Sequence, residues 1–475
     1  MTHPLPRSTP SEQQVDAAAI LAAIDALEAN PDVEMHSLMV VRHGHVVAEG
    51  WWSPYTPDRR HLLYSLSKSF TSAAVGLARE EGLLDLDEPL VACFPELDAE
   101  IDDPRSRAIR LRHVASMASG HTREMLGDAL ARDPSDPVRG FLLSPPDQEP
   151  GSVFAYSQPC TYSLASVVQS RTGMTLTEYL RPRLLDPLGI EEVAWTAWKQ
   201  GRQLGFSGLH ARTEDVAKLG LLHLQRGRWG DRQLLPEEWV DVATAKHVDN
   251  PDEPHPDWRQ GYGFQFWMAR HGYRGDGAYG QFCVVLPEHD TVVATTARTE
   301  QMQAVLDAFW THLLPGLRDA PCDADAEEKL ASRLRGLRLT PYAGQREPAE
   351  WDPWLGAFEA RRGVFGPLAS ALDSVSVSVQ EGRVFLSLDE DGNELTVEVG
   401  TGDWVVTTPT DRHGAQVPVA ASGGWEDDHT LRVSVIFLET PHRLELSLTL
   451  HGREVLARWP SPPLGGDRIA DLHCP

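Results

Sequence analysis

The sequence lacks the features of a membrane or exported protein. No apolar run approaches the roughly 18–20 residues that a membrane helix needs, and the longest near the start, residues 17–24, lies between Asp16 and Asp25. The first residues, MTHPLPRSTPSEQQ, do not show the order of charged, apolar and small residues that is typical of an export signal. We therefore expect a soluble protein located in the cytoplasm, with no membrane partner.

Cysteine is scarce, and its positions form no pattern that would bind zinc or build a disulfide framework. The five cysteines are odd in number and widely spaced, and no two of them form a CxxC pair. Free thiols in a reducing compartment are the expected state of Cys93, Cys160, Cys283, Cys322 and Cys474. The sequence predicts neither a metal site nor a cofactor.

Positively charged residues are also few compared with negatively charged ones. Lysine and arginine total 43 residues against 69 aspartates and glutamates, which gives a formal net charge of −26. A field of this sign repels phosphate backbones, so we expect no nucleic-acid partner. The sequence also lacks GxSxG, HExxH and P-loop motifs, which removes the support for an α/β-hydrolase, a zincin or a nucleotide triphosphatase.

What is present is the composition of a folded protein, with 41% hydrophobic and 24% charged residues. At roughly 100–200 residues per domain, the 475 residues suggest two to four domains. Residues 65–81 predict a helix that ends at Gly82, and two β-branched runs around residues 42–44 predict a hairpin. Further strands are predicted over residues 261–270, 281–287 and 292–297. Strands at both ends with helices between them indicate an α+β or mixed α/β fold.

Beyond about residue 350 the hydrophobic pattern changes to a period of two. Glycine-containing turn signals separate short alternating runs, which cover residues 374–379, 383–388, 395–399, 431–438 and 444–450. Short, evenly spaced strands predict an antiparallel barrel or sandwich. The charged, helical stretch before them lies between Pro321 and Pro341. We therefore predict a domain that carries the chemistry over residues 1–317, a helical linker over 318–349 and a β domain over 350–475.

The strongest chemical signal is the segment Ser65–Leu66–Ser67–Lys68. With Ser65 at the start of a helix, Lys68 lies one turn further on the same face, within reach of the serine hydroxyl. The helix N-terminus favours negative charge on the serine oxygen. A lysine accepts the proton of that serine only when it is neutral, and burial promotes the neutral form. Alone the motif is weak, because an ordinary helix start with a solvated lysine has the same pattern.

Two later segments strengthen this motif by their order in the chain. Tyr156–Ser157–Gln158 lies in a loop before a predicted helix, and a tyrosine that faces a Ser–Lys pair can relay a proton to the leaving group. A glycine-rich turn at residues 275–280 precedes a hydrophobic strand, and its glycines are expected to let the strand edge approach a substrate closely. The backbone N–H groups of Ser65 and Ala278 would then converge on an oxyanion.

These motifs resemble those of the serine β-lactamase and penicillin-binding-protein superfamily, in particular class C β-lactamases and family VIII carboxylesterases. The likeness covers roughly residues 15–315 and includes HLLYSLSKSFTSAAVGLAREEG and YLRPRLLDPLGI. It implies a central antiparallel sheet with flanking helices and a helical subdomain. It also implies that Ser65 is the nucleophile, Lys68 its base and Tyr156 the second acid/base. The C-terminal domain resembles lipocalin-like modules attached to relatives of this superfamily.

The sequence departs from the pattern of the superfamily in two motifs. Gln158 stands where the Tyr–x–Asn motif has asparagine. Gly275–Asp276–Gly277 takes the place of the Lys/His–Thr–Gly motif, so the cation that helps to hold a substrate carboxylate is missing. Either Arg274 substitutes for this cation, or Arg274 and Asp276 pair across a turn. Weak turnover of penicillin-like substrates is therefore expected.

The sequence predicts a serine hydrolase that cleaves a small-molecule ester or amide through an acyl-Ser65 intermediate. An acyltransferase or peptide cyclase of the same fold would share this acylation machinery, so the sequence leaves that alternative open. A non-catalytic binding protein is expected to lose part of the set Ser65, Lys68 and Tyr156, and all three are present. The sequence leaves the oligomeric state open.

Other residues close to these motifs have a simpler structural interpretation. Cys160 follows Tyr156 closely and could act as a nucleophile, but cysteine is also a common small core residue. Trp51, Trp52 and Tyr64 flank the Ser65 segment, and packing is a simpler interpretation for them than a platform for substrate.

Overall fold

The computed structural model describes residues 4–198, 201–318, 323–345, 347–348, 350–361, 370–465 and 468–475. The chain divides into two compact units, of which the first comprises Met1–Gly50, Leu63–Thr296 and Gln301–Arg335. The second comprises Trp51–Leu62, Ala297–Glu300 and Gly336–Pro475. Cys322 and Pro321 lie outside the described residues. The domain boundaries predicted at residues 317 and 349 stay predictions from the sequence.

A six-stranded sheet forms the centre of the first unit. Its strands lie in the order His45–Trp51, Glu34–Arg42, Thr291–Arg298, Gln281–Leu286, Tyr273–Gly277 and Trp267–Met268. Phe282 pairs with Thr295 on one side and with Asp276 on the other, and both registers are antiparallel. The hairpin predicted around residues 42–44 and the strands predicted over 281–287 and 292–297 are confirmed. Shorter strands are Ala194–Trp195, Leu209–Ala211, Arg228–Trp229 and Arg232–Gln233.

The strand predicted over residues 261–270 is wrong for its first half, because only Trp267–Met268 is a strand. Gln265 has a φ of +68°, which no strand allows. Its backbone N–H donates to the carbonyl of Ala115, and that of Phe264 donates to the carbonyl of Ala243. These bonds to distant helices replace the ladder of a strand, and an alternating sequence pattern does not encode them.

Helices pack around this sheet, and the helix Ser67–Glu80 is the most deeply buried of those that position the candidate site. A Cβ atom on Gly76 would lie 2.3 Å from Cδ1 of Trp239, so glycine is required for this packing. Within the described residues, no helix is both long enough and apolar enough to cross a membrane. The other helices are Ala17–Ala29, Pro104–Ala108, Leu111–Ala115, Leu126–Arg132, Pro137–Leu142, Gln158–Thr172, Leu176–Leu180, Asp186–Leu188, Thr213–Leu224, Glu237–Ala243, Met302–Ala308 and Ala324–Arg335.

The second unit contains a closed β-barrel, which decides between the two architectures that the sequence allowed. Eight strands follow one another around it: Asn393–Thr401, Arg383–Glu390, Ser374–Gln380, Gly356–Ala360, Glu454–Arg458, Arg443–Thr449, Thr430–Phe437 and Val419–Asp427. The ring closes where Gly400 pairs with Ser422. This pairing is parallel, as is that of Glu359 with Glu454, and the other pairings are antiparallel. The strand Val405–Thr407 adds to Val419–Asp427.

The interior of the barrel is packed with side chains. Buried valines alternate with less buried serines along Ser374–Gln380, and buried Val384, Leu386 and Leu388 alternate with less buried residues along Arg383–Glu390, as the period of two predicts. Trp354, Trp425 and Trp459 belong to the same apolar cluster. The strand Val419–Asp427 was missed because its residues 419–425 are all buried, so they do not alternate.

Candidate active site

Ser65 lies in a tight turn immediately before a buried helix. The turn is the 3₁₀ segment Tyr64–Leu66, and the helix Ser67–Glu80 follows it. Tyr64 has a φ of +47°, a left-handed conformation that is uncommon for a residue with a side chain. Ser65 is partly exposed, whereas its neighbours Tyr64 and Leu66 are buried. The turn therefore presents one hydroxyl group to solvent from an otherwise buried segment.

The amine of Lys68 is buried beside this hydroxyl. Its Nζ donates to Oγ of Ser65 at 3.0 Å, to Oε1 of Gln158 at 2.7 Å and to the carbonyl of Phe206 at 2.9 Å. Burial lowers the pKa of Lys68 to about 7, although the negative charges of Glu124 and Asp276 oppose this fall. A substantial fraction of Lys68 is therefore neutral near neutral pH.

The three neighbours of Nζ determine where a neutral amine directs its lone pair. The Gln158 Oε1 and the Phe206 carbonyl can only accept hydrogen bonds, so each takes one of the two N–H groups. The hydroxyl of Ser65 is the one neighbour that can also donate. Loss of a proton from Lys68 therefore leaves the lone pair facing the proton of Ser65, which is the arrangement of a general base and its nucleophile.

Tyr156 approaches Ser65 from a separate segment. Burial raises the pKa of its phenol above the ordinary value, and interaction with the Ser65 side chain only partly opposes this rise. The phenol ring stacks on Trp267, with ring centroids 5.2 Å apart, and Nζ of Lys68 lies 4.8 Å from its centroid. The phenol therefore keeps its proton near neutral pH and can donate it to a leaving group.

Gln158 begins the helix Gln158–Thr172, and Glu124 holds that helix start in place. Oε1 of Glu124 accepts the backbone N–H of Gln158 at 3.0 Å, and its Oε2 accepts the backbone N–H of Leu126 at 2.9 Å. The sequence analysis missed Glu124. An exposed glutamate in a loop is ordinary, and no local pattern relates it to a helix that begins 34 residues later.

Gly275 and Gly277 lie in the strand Tyr273–Gly277, against the turn that carries Ser65. A Cβ atom on Gly275 would lie 2.4 Å from Cδ1 of Leu66, and one on Gly277 would lie 2.1 Å from the carbonyl oxygen of Leu63. The two glycines therefore let the strand pack closely against the turn that carries Ser65. This role is separate from the predicted close approach of a substrate to the strand edge. Ala278 follows this strand directly, and its role as an oxyanion donor stays a prediction from the sequence.

Arg274 and Asp276 form an ion pair within the protein. Nε of Arg274 donates to Oδ2 of Asp276 at 3.0 Å, and the arginine side chain is 0% exposed. Its Nη1 also donates to the carbonyls of Asp257 and Met268, and its guanidinium lies 4.3 Å from the ring centroid of Trp258. Of the two interpretations that the sequence left open for Arg274, this geometry favours pairing with Asp276 over contact with a substrate carboxylate.

The other side chains singled out in the sequence are packed. Cys160 is fully buried, and burial raises the pKa of its thiol to about 12, which keeps it protonated. Tyr64 is buried, and its ring packs edge-to-face with that of Tyr279, with the ring centroids 5.6 Å apart. Trp51 and Trp52 belong to the second unit, where Trp52 is buried. These positions support the packing interpretation.

Comparison with known proteins agrees with this arrangement. A family model described as Beta-lactamase matches residues 22–314, more than half of the chain. The 6-aminohexanoate-dimer hydrolase of Paenarthrobacter ureafaciens is 26% identical over 309 residues, which cover 60% of this chain and 78% of the relative. The monacolin J acid methylbutanoyltransferase of Aspergillus terreus is 26% identical over 163 residues, which cover 30% of this chain and 39% of that relative.

A solved structure shares the fold. EstCE1, described as a hydrolase with promiscuous acyltransferase activity, has a TM-score of 0.51 and 18% identity, and covers 62% of this chain and 98% of its own. The fold and its relatives define a class of serine enzymes that act as hydrolases or acyltransferases. This chain belongs to the β-lactamase family, within the superfamily of serine β-lactamases and penicillin-binding proteins, and is a serine hydrolase of that family.

Proposed function

We propose that this protein cleaves a small-molecule ester or amide through a covalent acyl-Ser65 intermediate. The observation that carries the proposal is the position of Lys68 Nζ, 3.0 Å from Ser65 Oγ and hydrogen-bonded to two oxygens that can only accept. A buried amine held in this way is prepared to take one particular proton. A reducing, cytoplasmic setting is part of the proposal, because the buried thiols of Cys160 and Cys283 suit it.

Acylation begins when neutral Lys68 accepts the hydroxyl proton of Ser65 while Oγ bonds to the carbonyl carbon of the substrate. The electrons of the C=O π bond move to the oxygen, where the N–H groups of Ser65 and Ala278 hold the oxyanion. Collapse of this intermediate breaks the bond to the leaving group. That group receives the proton of Tyr156, which regains one from protonated Lys68.

Deacylation uses the same groups in the opposite direction. A water molecule attacks the acyl carbon, its proton passes to the Lys68–Tyr156 pair, and Ser65 leaves with a proton returned from that pair. The products are a carboxylic acid and the alcohol or amine released in the first half. Arg274 is buried in its pair with Asp276 and therefore does not meet a substrate carboxylate, which supports uncharged acyl groups as substrates.

Turnover of p-nitrophenyl acetate by Ser65→Ala tests this proposal. Loss of the nucleophile is expected to lower kcat/KM on the order of 10³-fold or more. Ser69→Ala is a matched control, because its hydroxyl lies one turn further along and donates only to the carbonyl of Gln265. The control is expected to keep the activity. Wild-type turnover by Ser65→Ala would rule out the proposed nucleophile.

Acyl transfer to an acceptor other than water is the second candidate function. The Aspergillus relative is named a methylbutanoyltransferase, and the acylation half-reaction is common to both functions. Incubation with an activated thioester and a primary amine or alcohol distinguishes them by product. Free acid as the main product supports hydrolysis, and the acylated acceptor as the main product supports transfer.

A further inference from the structure

Glu124 is a charged side chain that contacts the proposed machinery without belonging to it. Its carboxylate accepts the backbone N–H groups of Gln158 and Leu126, at 3.0 and 2.9 Å. The two bonds tie the start of Gln158–Thr172 to the start of Leu126–Arg132. Because the side-chain amide of Gln158 accepts from Lys68 at 2.7 Å, Glu124 is linked to the amine through a single residue.

We propose that Glu124 is a positioning residue for Lys68, which fixes Gln158 against the amine and supplies a negative charge that stabilises the ammonium formed as Ser65 gives up its proton. The proposal rests on the function proposed above for Ser65 and Lys68. It assigns Glu124 no contact with substrate. Its two contributions, the hydrogen bonds and the charge, are separable by experiment.

The other charged and titratable groups around Lys68 differ from Glu124 in being either paired or uncharged. Asp276 acts on the amine from the strand Tyr273–Gly277 and also opposes the fall of its pKa, but Asp276 is itself paired with the buried Arg274. Tyr156 and Cys160 face it from the loop and helix that carry Gln158, and burial raises the pKa of both, so they are uncharged. The negative charge of Glu124 opposes the fall of the Lys68 pKa, and no arginine or lysine within the described ion pairs neutralises it.

The charge has a direct consequence for proton transfer. A negative charge near an amine favours its protonated form, which is the form that Lys68 takes in the transition state of acylation. Without that charge, burial would lower the pKa of Lys68 further, so the amine would be neutral at lower pH but a weaker base. Glu124 is exposed to solvent, so dissolved salt screens its charge.

Glu124→Gln removes the charge and keeps a side chain of the same size. The midpoint of the rise of kcat/KM with pH is expected to fall by about one pH unit or less, and the rate above that midpoint by roughly tenfold. As the salt concentration rises from about 0.05 to 1 M, the pH midpoint of kcat/KM in the wild type should fall toward that of Glu124→Gln. The midpoint of Glu124→Gln itself should change little. A short-chain ester and chromatographic detection of the released acid avoid chromogens that titrate in this range.

Two further variants separate the charge from the hydrogen bonds. Glu124→Asp keeps the charge on a shorter side chain, so it should keep the wild-type midpoint while its melting temperature and rate fall. Asp128→Asn removes a carboxylate of the neighbouring helix that pairs with Arg123, and should leave the midpoint unchanged. An unchanged midpoint and salt response in Glu124→Gln, with Ser65→Ala inactive, would overturn this proposal alone. Activity in Ser65→Ala would instead overturn the function on which it rests.

Discussion

Nζ of Lys68 lies 3.0 Å from Oγ of Ser65, one turn further along the same helical segment. The spacing of three residues brings the two groups together without help from the rest of the fold. The rest of the fold supplies what the spacing cannot: burial that lowers the pKa of the amine, and the oxygens of Gln158 and Phe206 that orient it. The proposed chemistry depends on both contributions.

The rate of ester hydrolysis is expected to rise with pH through about pH 7. Burial lowers the pKa of Lys68 to about 7, and only the neutral amine accepts the serine proton, so activity is low below this value and levels off above it. Steady-state kcat/KM between pH 5.5 and 9 measures the profile. Lys68→Met should remove the rise together with most of the activity, and a flat wild-type profile with chemistry limiting would contradict this role.

Tyr156→Phe is expected to lower kcat by roughly 10²–10⁴-fold, because it removes one well-placed acid/base group. The ring that stacks on Trp267 is retained, so the melting temperature should change little. Tyr262→Phe is a matched control in the same aromatic cluster, with its ring 6.0 Å from that of Tyr156. Equal losses of activity in both variants would indicate a packing effect and not a lost proton donor.

Gln158→Asn is expected to raise the ratio of β-lactam to ester turnover. Glutamine places its amide one methylene further from the backbone than asparagine, and a shift of around 1 Å in a positioning group can cost roughly 10²-fold in rate. The wild type should hydrolyse short-chain esters faster than cephalosporins. Initial rates on one substrate of each type measure the ratio, and an unchanged ratio in Gln158→Asn would disprove this explanation of specificity.

Gly277→Ala is expected to lower kcat/KM by roughly 10²-fold, because the added Cβ would lie 2.1 Å from the Leu63 carbonyl and push the strand away from the Ser65 turn. Gly127→Ala is the matched control. Its Cβ would meet nothing within 4 Å, so activity should remain. Circular dichroism shows whether both variants fold, and a folded Gly277→Ala with full activity would contradict the proposed need for this close approach.

Local patterns predicted the parts of the structure that local physics determines. The i, i+3 spacing of Ser65 and Lys68 predicted their contact, and the period of two predicted Ser374–Gln380 and Arg383–Glu390. The resemblance of the motifs to the β-lactamase superfamily, over roughly residues 15–315, agrees with the family match over residues 22–314.

Contacts between distant segments determine the features that the sequence did not predict. Gln265 leaves the strand pattern because its backbone bonds to Ala115, and Glu124 joins the site through a helix start far along the chain. The sequence allowed either a barrel or a sandwich, because closure depends on the parallel pairing of Gly400 with Ser422, which alternation along a single strand does not reveal.

The most direct test of the central claim is the mass of the protein after reaction with an activated alkyl phosphonate, followed by peptide mapping. We predict a single adduct on the peptide that contains Ser65, formed faster above pH 7 than below it and absent in Ser65→Ala. An adduct on any other residue, such as Cys160, or equal labelling of the wild type and Ser65→Ala, would contradict the assignment of Ser65 as the nucleophile.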